Sequence, residues 1–320
     1  MIVTLTPNPS IDRAVLIDAL RRGEVHRASS SRIDPGGKGV NVSRALAAQG
    51  GSTVAVLPSG GPEGHLLEEL LDAAGVAYAS VPVRGSVRMN ISVLEPDGTT
   101  TKLNEPGPDL SADEVEALLA TTLERAAGAG AARGAEWVVG CGSLPPGAPT
   151  ELYAVLVSRV RERGGRVAID SSGAPFAAAV AAKPHLIKPN HEELAELVDH
   201  ELPTLGDVRD AARELVRSGI DVVAVSLGGD GALLVTADEC AHARATITAP
   251  QSTVGAGDCM LAGLLHGLST GLDPADALMT GVTWGAAAVT LPGSRVPTPD
   301  DLDGIRAVLS REPDLDRVLS

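Results

Sequence analysis

The chain has 320 residues of which 44% are hydrophobic, enough for one large unit or two smaller ones with a well-buried core, and this excludes a disordered protein. Lys and Arg number 26 against 41 Asp and Glu, a formal charge of −15, which excludes a general electrostatic affinity for nucleic acid or anionic membranes. No run is apolar enough to span a bilayer, and Cys141, Cys240 and Cys259, odd in number and scattered, argue against a disulfide framework or a thiolate metal site.

In chain order, Met1–Thr6 reads as a buried strand. It carries neither a basic segment nor a long apolar stretch, so no secretory signal is expected and the cytoplasm is the expected location. Asp12 sits just beyond that strand, where open α/β sheets place ligands; its carboxylate suits sugar hydroxyls, or it is a turn aspartate. The stretch Ala14–Ile33, which contains Arg27, fits no βαβ unit. Gly36, Gly37, Lys38 and Gly39, followed by Asn41, lead into an expected helix Val40–Gln49 closed by Gly50 and Gly51. One lysine among free amides suggests an anion site. The run lacks the lysine followed by serine or threonine of a Walker loop, and a glycine turn with a solvent-facing lysine accounts for it equally well. After a second buried strand, Thr53–Leu57, the runs Val87–Leu94 and Thr99–Asn104 joined by Glu95-Pro-Asp-Gly98 read as a hairpin. With Ala14–Ile33 it is expected to form a small projecting sheet, a lid. Arg88 lies on that hairpin, and its guanidinium fork suits a phosphate; a solvated strand arginine is the ordinary alternative. Ser111-Ala-Asp-Glu114 has the form of a capping box opening a helix to about Ala127, and Ala126–Gly134 reads as its end and a surface loop.

From about Glu136 onward, β-rich runs alternate with helical ones, so the expected fold class is α/β, a doubly wound, mostly parallel sheet flanked by helices. The expected strands are Trp137–Gly140, Arg166–Ile169, His185–Lys188 and Asp221–Ser226, and the expected helices are Thr150–Arg163, Glu192–Val198, Asp207–Arg217, Val282–Leu291 and Asp300–Leu309. Lys188-Pro-Asn-His-Glu-Glu193 follows a strand and opens a helix. Asn190 is an expected N-cap whose side chain could equally face a phosphate or hydrated metal, with Glu193 one turn on. Ser226-Leu-Gly-Gly-Asp-Gly231 closes a strand, and Gly228, Gly229 and Gly231 would admit a nucleotide near the backbone; a plain hairpin turn before Ala232–Thr236 is the alternative. The seven histidines show no zinc-ligand spacing.

The run Thr253-Val-Gly-Ala-Gly-Asp258 carries the most chemistry. Met260, Leu261, Leu264, Leu265 and Leu268 follow at helical spacing up to Gly271, which puts Gly255, Ala256 and Gly257 at a helix mouth. Glycines there let a polyphosphate approach the main chain, and the free amides of the first turn supply donors and partial positive charge. Asp258 is then placed to accept a hydroxyl proton.

Together, Gly36-Gly-Lys-Gly-Val-Asn41, Lys188-Pro-Asn-x-x-Glu193 and Thr253-Val-Gly-Ala-Gly-Asp258, in this order and spacing, resemble the ribokinase-type (phosphofructokinase B) family of sugar kinases over nearly the whole chain. The resemblance implies a single ribokinase-like domain over 1–320, a β lid from segments about 12–34 and 84–106, dimerisation through that lid, and ATP with Mg²⁺ as phosphoryl donor. Thr4–Asp12, Thr101–Pro108 and Gly142-Ser-Leu-Pro-Pro-Gly147 resemble the phosphosugar branch, 1-phosphofructokinases in particular, and tagatose-6-phosphate kinases share much of the pattern. The match implies Asp258 as base, Gly255, Ala256 and Gly257 as anion hole, and Asp12, Gly36, Gly37 and Asn41 as substrate ligands. Lys38, Arg88, Arg27 and Ser143 would surround the phosphate already on the sugar. Asn190 and Glu193 would organise Mg²⁺ through water, and Lys188, Ser226, Gly228, Gly231 and Thr253 would line the nucleotide side. The implied reaction moves the γ-phosphoryl group of ATP to O6 of fructose 1-phosphate. Lys38 favours this or a tagatose 6-phosphate substrate over fructose 6-phosphate, since related 6-phosphofructokinases can lack that lysine. A catalytically silent sugar-phosphate sensor is the alternative from another class, set against it by retention of Asp258. A nicotinamide oxidoreductase is disfavoured because no dinucleotide fingerprint follows the first strand.

Overall fold

The β-branched runs form the strands of one large sheet. The computed structural model describes residues 1–128 and 135–319, and its strands in chain order are β1 (Ile2–Leu5), β2 (Ser10–Leu16), β3 (Ser30–Gly36), β4 (Thr53–Ser59), β5 (Tyr78–Pro82), β6 (Arg88–Leu94), β7 (Thr100–Asn104), β8 (Trp137–Cys141), β9 (Val167–Asp170), β10 (Leu186–Ile187), β11 (Val222–Ser226), β12 (Ala232–Val235), β13 (Cys240–Ala245) and β14 (Ala307–Ser310). Ten of these make a sheet in the order β14-β13-β12-β11-β10-β9-β8-β1-β4-β5. It is parallel from β5 to β11, and antiparallel pairing adds β12, β13 and β14 at one edge. The expected doubly wound, mostly parallel α/β architecture is thus present. Chain order runs away from β1 in both directions, toward β4 on one side and β8 on the other. Between β1 and β8 the crossovers diverge to opposite faces, and the crevice outside the strand ends opens there.

Strand residues alternate between the two faces, and each face has its own core. Ile2, Val139 and Ala168 pack with the helices Lys38–Ala48, Ala256–Ser269 and Pro274–Val289, whereas Val3, Val138 and Ile169 pack with Ala112–Ala127, Leu152–Glu162, Gly173–Ala181, His191–Val198 and Leu205–Arg217. Both faces being covered explains why the central strands read as unbroken apolar runs.

The helices Ala256–Ser269 and Pro274–Val289 meet through glycine. A Cβ on Gly281 would stand 2.6 Å from the Met260 carbonyl oxygen, and one on Gly263 2.9 Å from the Gly281 Cα. The expected helix Val282–Leu291 is the second half of the longer one, which starts at Pro274 after Asp273, whose side chain accepts from the Asp276 amide at 3.0 Å.

The expected helix Asp300–Leu309 is incorrect. Only Pro299–Leu302 is helical; Gly304 follows, and Ala307–Ser310 pairs antiparallel with β13, an apolar edge strand whose short length hides its period. The helices Gly61–Ala73 and Gly173–Ala181 and the strands β5 and β13 escaped the sequence reading, the second helix because its alanine-rich run GAPFAAAVA carries no polar face to set a period. Residues 129–134 of the expected Ala126–Gly134 loop lie outside the described residues; the helix before them ends at Ala127, and its Ser111–Glu114 capping box forms as read.

A separate four-stranded sheet, β3-β2-β6-β7, is built from the stretches that fitted no βαβ unit. The β6–β7 hairpin closes as its turn chemistry demands. Gly98 donates to the Glu95 carbonyl at 3.0 Å with a φ of 91, and Asp97 accepts from the Thr99 amide at 2.9 Å.

Gly281→Ala decides whether backbone contact or helix propensity dominates at the glycine stripe. An alanine in a helix gains about 1 kcal/mol over glycine, but a methyl forced against a carbonyl costs about 1–3 kcal/mol, so a net loss is expected. Thermal unfolding should show a lower Tm; a raised Tm would mean the two helices separate freely.

Candidate active site

Asp258 occupies the first turn of the helix Ala256–Ser269, and Gly255 turns the chain into that helix with a φ of 78, a left-handed conformation that glycine adopts without strain. The carboxylate is 7% exposed. Its Oδ2 accepts from the Asn41 Nδ2 at 2.9 Å, which joins the helix mouth to the helix Lys38–Ala48. The glycine cluster before Asn41 is required by close packing: a Cβ on Gly39 would meet the Thr6 Oγ1 at 2.4 Å, and one on Gly37 the Thr6 Cγ2 at 2.8 Å. These contacts press the start of the helix onto the end of β1.

The Lys38 side chain is 34% exposed, and its ammonium group is turned onto carboxylates. Its Nζ lies 2.7 Å from the Asp170 Oδ1 and 3.7 Å from Glu193, while the Lys188 Nζ lies 3.0 Å from the other oxygen of Asp170. Asp170 ends β9 and is 1% exposed. Burial opposes its charge, but the ammonium groups of Lys188 and Lys38 hold its carboxyl below the usual carboxylate range. Asp258 goes the other way. Burial, then the negative charge of Asp170, pushes its carboxyl up to about 7, against the Asn41 amide and the two lysines. Two neighbouring carboxyls therefore differ in charge state near neutrality, the arrangement that separates a fixed charge from a proton acceptor. Sequence reasoning missed Asp170. The available signal was a carboxylate at the carboxyl end of the apolar strand VAID, which a parallel sheet buries at the crevice.

On the other side of the crevice, Asp12 on β2 accepts from the Ser10 hydroxyl at 2.7 Å and from the Asn90 amide at 3.1 Å. Gly36 is opposite: a Cβ there would lie 2.3 Å from the Asp12 Oδ2. Arg88, on β6, donates to the Asn8 carbonyl at 3.0 Å and to the Glu105 carbonyl at 3.2 Å, so it is anchored rather than solvated. The Asn8 amide in turn donates to Pro106 O at 3.0 Å and to the Ser143 hydroxyl at 3.4 Å. Thr6 Oγ1, Asn8 Oδ1, Arg88 Nε and Asn90 Oδ1 are buried here without a hydrogen-bond partner among the described residues. Buried polar atoms are ordinarily paired, so this grouping marks a place for a polar ligand. Asn8 and Asn90 were not singled out in the sequence. Arg27 remains exposed on the β2–β3 connection, and no hydrogen bond of this group involves it.

Asn190 and Glu193 form a capping box: the Asn190 Oδ1 accepts from the Glu193 amide at 2.7 Å, and the Glu193 Oε2 from the Asn190 amide at 2.8 Å. The N-cap reading is realised, and the Glu193 Oε1, on the Lys38 side, stays outside the box. Ser226, the last residue of β11, pairs with Asn190 beyond β10, donating its amide to the Pro189 carbonyl at 3.0 Å. The glycine turn after it does lead into an antiparallel strand, as the hairpin alternative had it. Gly228 has a φ of 57 with open space where a side chain would be, whereas a Cβ on Gly231 would strike the Ala243 carbonyl at 2.2 Å. Gly228 is free to face a ligand; Gly231 is already required by β13. Thr253 precedes the helix mouth, its carbonyl accepting from the Ala256 amide at 3.3 Å.

The family model described as pfkB family carbohydrate kinase matches residues 6–301. The chain is 37% identical over 302 residues to a 1-phosphofructokinase of Rhodobacter capsulatus, covering 94% of each, and 38% identical over 313 residues to the ATP-dependent 6-phosphofructokinase isozyme 2 of Escherichia coli K12, covering 97% of this chain and 99% of that one. The crystal structure of phosphofructokinase-2 from Escherichia coli in complex with substrates and products superposes with a TM-score of 0.88 at 38% identity, over 94% of this chain and 96% of that one.

The raised Asp258 carboxyl also predicts a stability effect. Folded, it holds its proton up to about 7; unfolded, it releases it near the ordinary aspartate value of about 3.9. Stability is lost as pH rises through that window, because the folded state there binds the extra proton. Asp258→Asn should therefore raise Tm more at pH 8 than at pH 5.5. An equal effect at both would show that Asp258 ionises normally.

Proposed function

The chain belongs to the pfkB family of carbohydrate kinases and has a ribokinase-like α/β fold, and on that premise we propose that it transfers the γ-phosphoryl group of ATP to O6 of fructose 1-phosphate, giving fructose 1,6-bisphosphate. The observation that carries this reading is the buried Asp258 carboxyl, pushed up to about 7 at a glycine-lined helix mouth and hydrogen-bonded to Asn41. A base whose proton affinity lies near the working pH is matched to accepting a hydroxyl proton, and the amides of Gly255 and Gly257 at the helix mouth suit the charge on the moving phosphoryl group. The fructose 1-phosphate assignment draws on the similarity to 1-phosphofructokinases and on Lys38. Identity to the 6-phosphofructokinase isozyme is as high, so fructose 6-phosphate is the second reading.

In this reading Asp12 and Asn41 hold the sugar, with Gly36 and Gly37 against it. Arg88 and Lys38 supply charge for the phosphate already present, with Ser143 and Arg27 at its margin. Lys188, Ser226, Gly228, Gly231 and Thr253 line the ATP side. Positioning of the two substrates accounts for most of the rate. Mg²⁺ fits at Asn190 and Glu193 only through water: their side chains are committed to the capping box, Glu193 keeps one oxygen outside it, and among the described residues no cluster of three His, Cys, Asp or Glu side chains surrounds a metal position. When bound, the ion neutralises phosphate charge.

The small sheet closes over the sugar as a lid and excludes water from ATP. Its exposed Leu103, 58% accessible, and Val25 and Leu20 on its β2–β3 connection support dimerisation through this sheet. Use of ATP supports a cytoplasmic location; among the described residues no helix is long and apolar enough to cross a membrane.

Fructose 1-phosphate should give the highest kcat/KM in an ATP-dependent coupled assay against fructose 6-phosphate and tagatose 6-phosphate. Preference for a 6-phosphate would keep the kinase mechanism and overturn the substrate. Asp258→Asn should lower kcat by about 10²–10⁴-fold while remaining folded, and near-normal turnover would remove Asp258 from the base role. Arg88→Ala should act mainly on KM for the phosphosugar, and an unchanged KM would put the phosphate elsewhere.

A further inference from the structure

Arg44 stands three residues after Asn41 on the helix Lys38–Ala48 and is buried. Its Nη1 lies 3.0 Å from the Asn41 Oδ1, 3.1 Å from the Pro35 carbonyl and 3.1 Å from the Ser294 carbonyl, and its Nη2 is 4.0 Å from Asp34. A guanidinium has only donors and an ionised carboxylate only acceptors. Asn41 stands between one of each. Its carboxamide thus has one orientation that satisfies both neighbours, oxygen toward Arg44 and nitrogen toward Asp258.

We propose that Arg44 is a positioning residue for the base: it locks the Asn41 amide so that an N–H, never a carbonyl, meets the Asp258 carboxylate. This rests on the reading of Asp258 as the base. The backbone carbonyls of Pro35 at the end of β3 and Ser294 beyond the long helix fix the guanidinium, so the orientation is set by three separate segments. An N–H on the carboxylate favours its ionised form and opposes burial. With the guanidinium gone, the amide is free to turn, and a carbonyl facing Asp258 accepts from the protonated acid and favours that form. The other groups that face Asp258 are Asp170 at the end of β9, Lys38 at the start of its helix, Lys188 after β10, Cys141 at the end of β8 and the adjacent Cys259. Arg44 hydrogen-bonds to Asn41 and not to Asp258, so its effect on the base passes through the amide.

The test is carboxyl ¹³C and side-chain ¹⁵N NMR of the free protein against pH, together with the pH profile of kcat/KM. In the wild type the Asn41 side-chain nitrogen should titrate with the same midpoint as the Asp258 carboxyl. In Arg44→Met the Asp258 midpoint should move up by about 0.5–1 pH unit, which lowers kcat/KM on the acid limb by about three- to tenfold. Arg44→Lys, which keeps a donor, should retain the wild-type midpoint. In an Asn41→Ala background, Arg44→Met should add no further shift. The proposal is overturned by an unmoved midpoint in Arg44→Met, by the same shift persisting without Asn41, or by an Asn41 nitrogen that does not titrate in the wild type. That last measurement decides the matter even if Arg44→Met does not fold. The NMR midpoints need no turnover, so absence of kinase activity would overturn the reading of Asp258 while leaving the Arg44 effect separately readable.

Discussion

Two carboxyl groups, Asp170 and Asp258, share one buried crevice, and the arrangement of the surrounding residues follows from their mutual repulsion. Two unpaired carboxylates at such a depth would be costly to ionise together. Lys38 and Lys188 settle the conflict by taking one oxygen each of Asp170, which leaves Asp258 with burial and its neighbour's charge against it. The paired lysines come from different elements, one from the glycine-led helix after β3 and the other from the end of β10. Holding both on Asp170 therefore requires the parallel order of β8, β9 and β10 that brings those chain ends together.

The sheet supplies the place and glycine supplies the approach. Residues following β1, β8, β9, β10 and β11 gather at the same ends of parallel strands, beside the point where the chain order diverges. For helix starts to reach that crevice, their backbones must come within contact of neighbouring strands. Gly36 against Asp12, and Gly37 and Gly39 against Thr6, are each places where a Cβ would meet another atom at under 3 Å. These glycines act first by steric permission, and the electrostatic benefit of exposed amides at Gly255 and Gly257 depends on it.

The capping box at Asn190 and Glu193 shows how structural and chemical roles coincide. Both side chains satisfy the first amides of their helix, and only the outer oxygen of Glu193 is left to face Lys38. Burial of Thr6 Oγ1, Asn8 Oδ1 and Asn90 Oδ1 without hydrogen-bond partners among the described residues follows a different logic, since nothing in the fold requires polar atoms there.

The sequence by itself determined what local chemistry determines. The hairpin at Glu95–Gly98, the capping box at Ser111, the N-cap at Asn190, the helix mouth at Gly255 to Asp258 and the alternation of strands and helices after Glu136 were all legible, because turn geometry, capping and periodicity act within a few residues. Where local signals were weak the reading failed: Ala307–Ser310 becomes a strand only because β13 offers it a pairing edge. Tertiary structure alone decided which distant residues meet. Asp170 was unremarkable in its strand until Lys38, 132 positions away, reached it. Asn41 and Asp258, 217 positions apart, and Arg44 and Ser294, 250 apart, have no signal in one chain. Their pairing, and with it the proton affinity of Asp258, comes from burial and charge in the assembled crevice, neither of which exists in the chain before it folds.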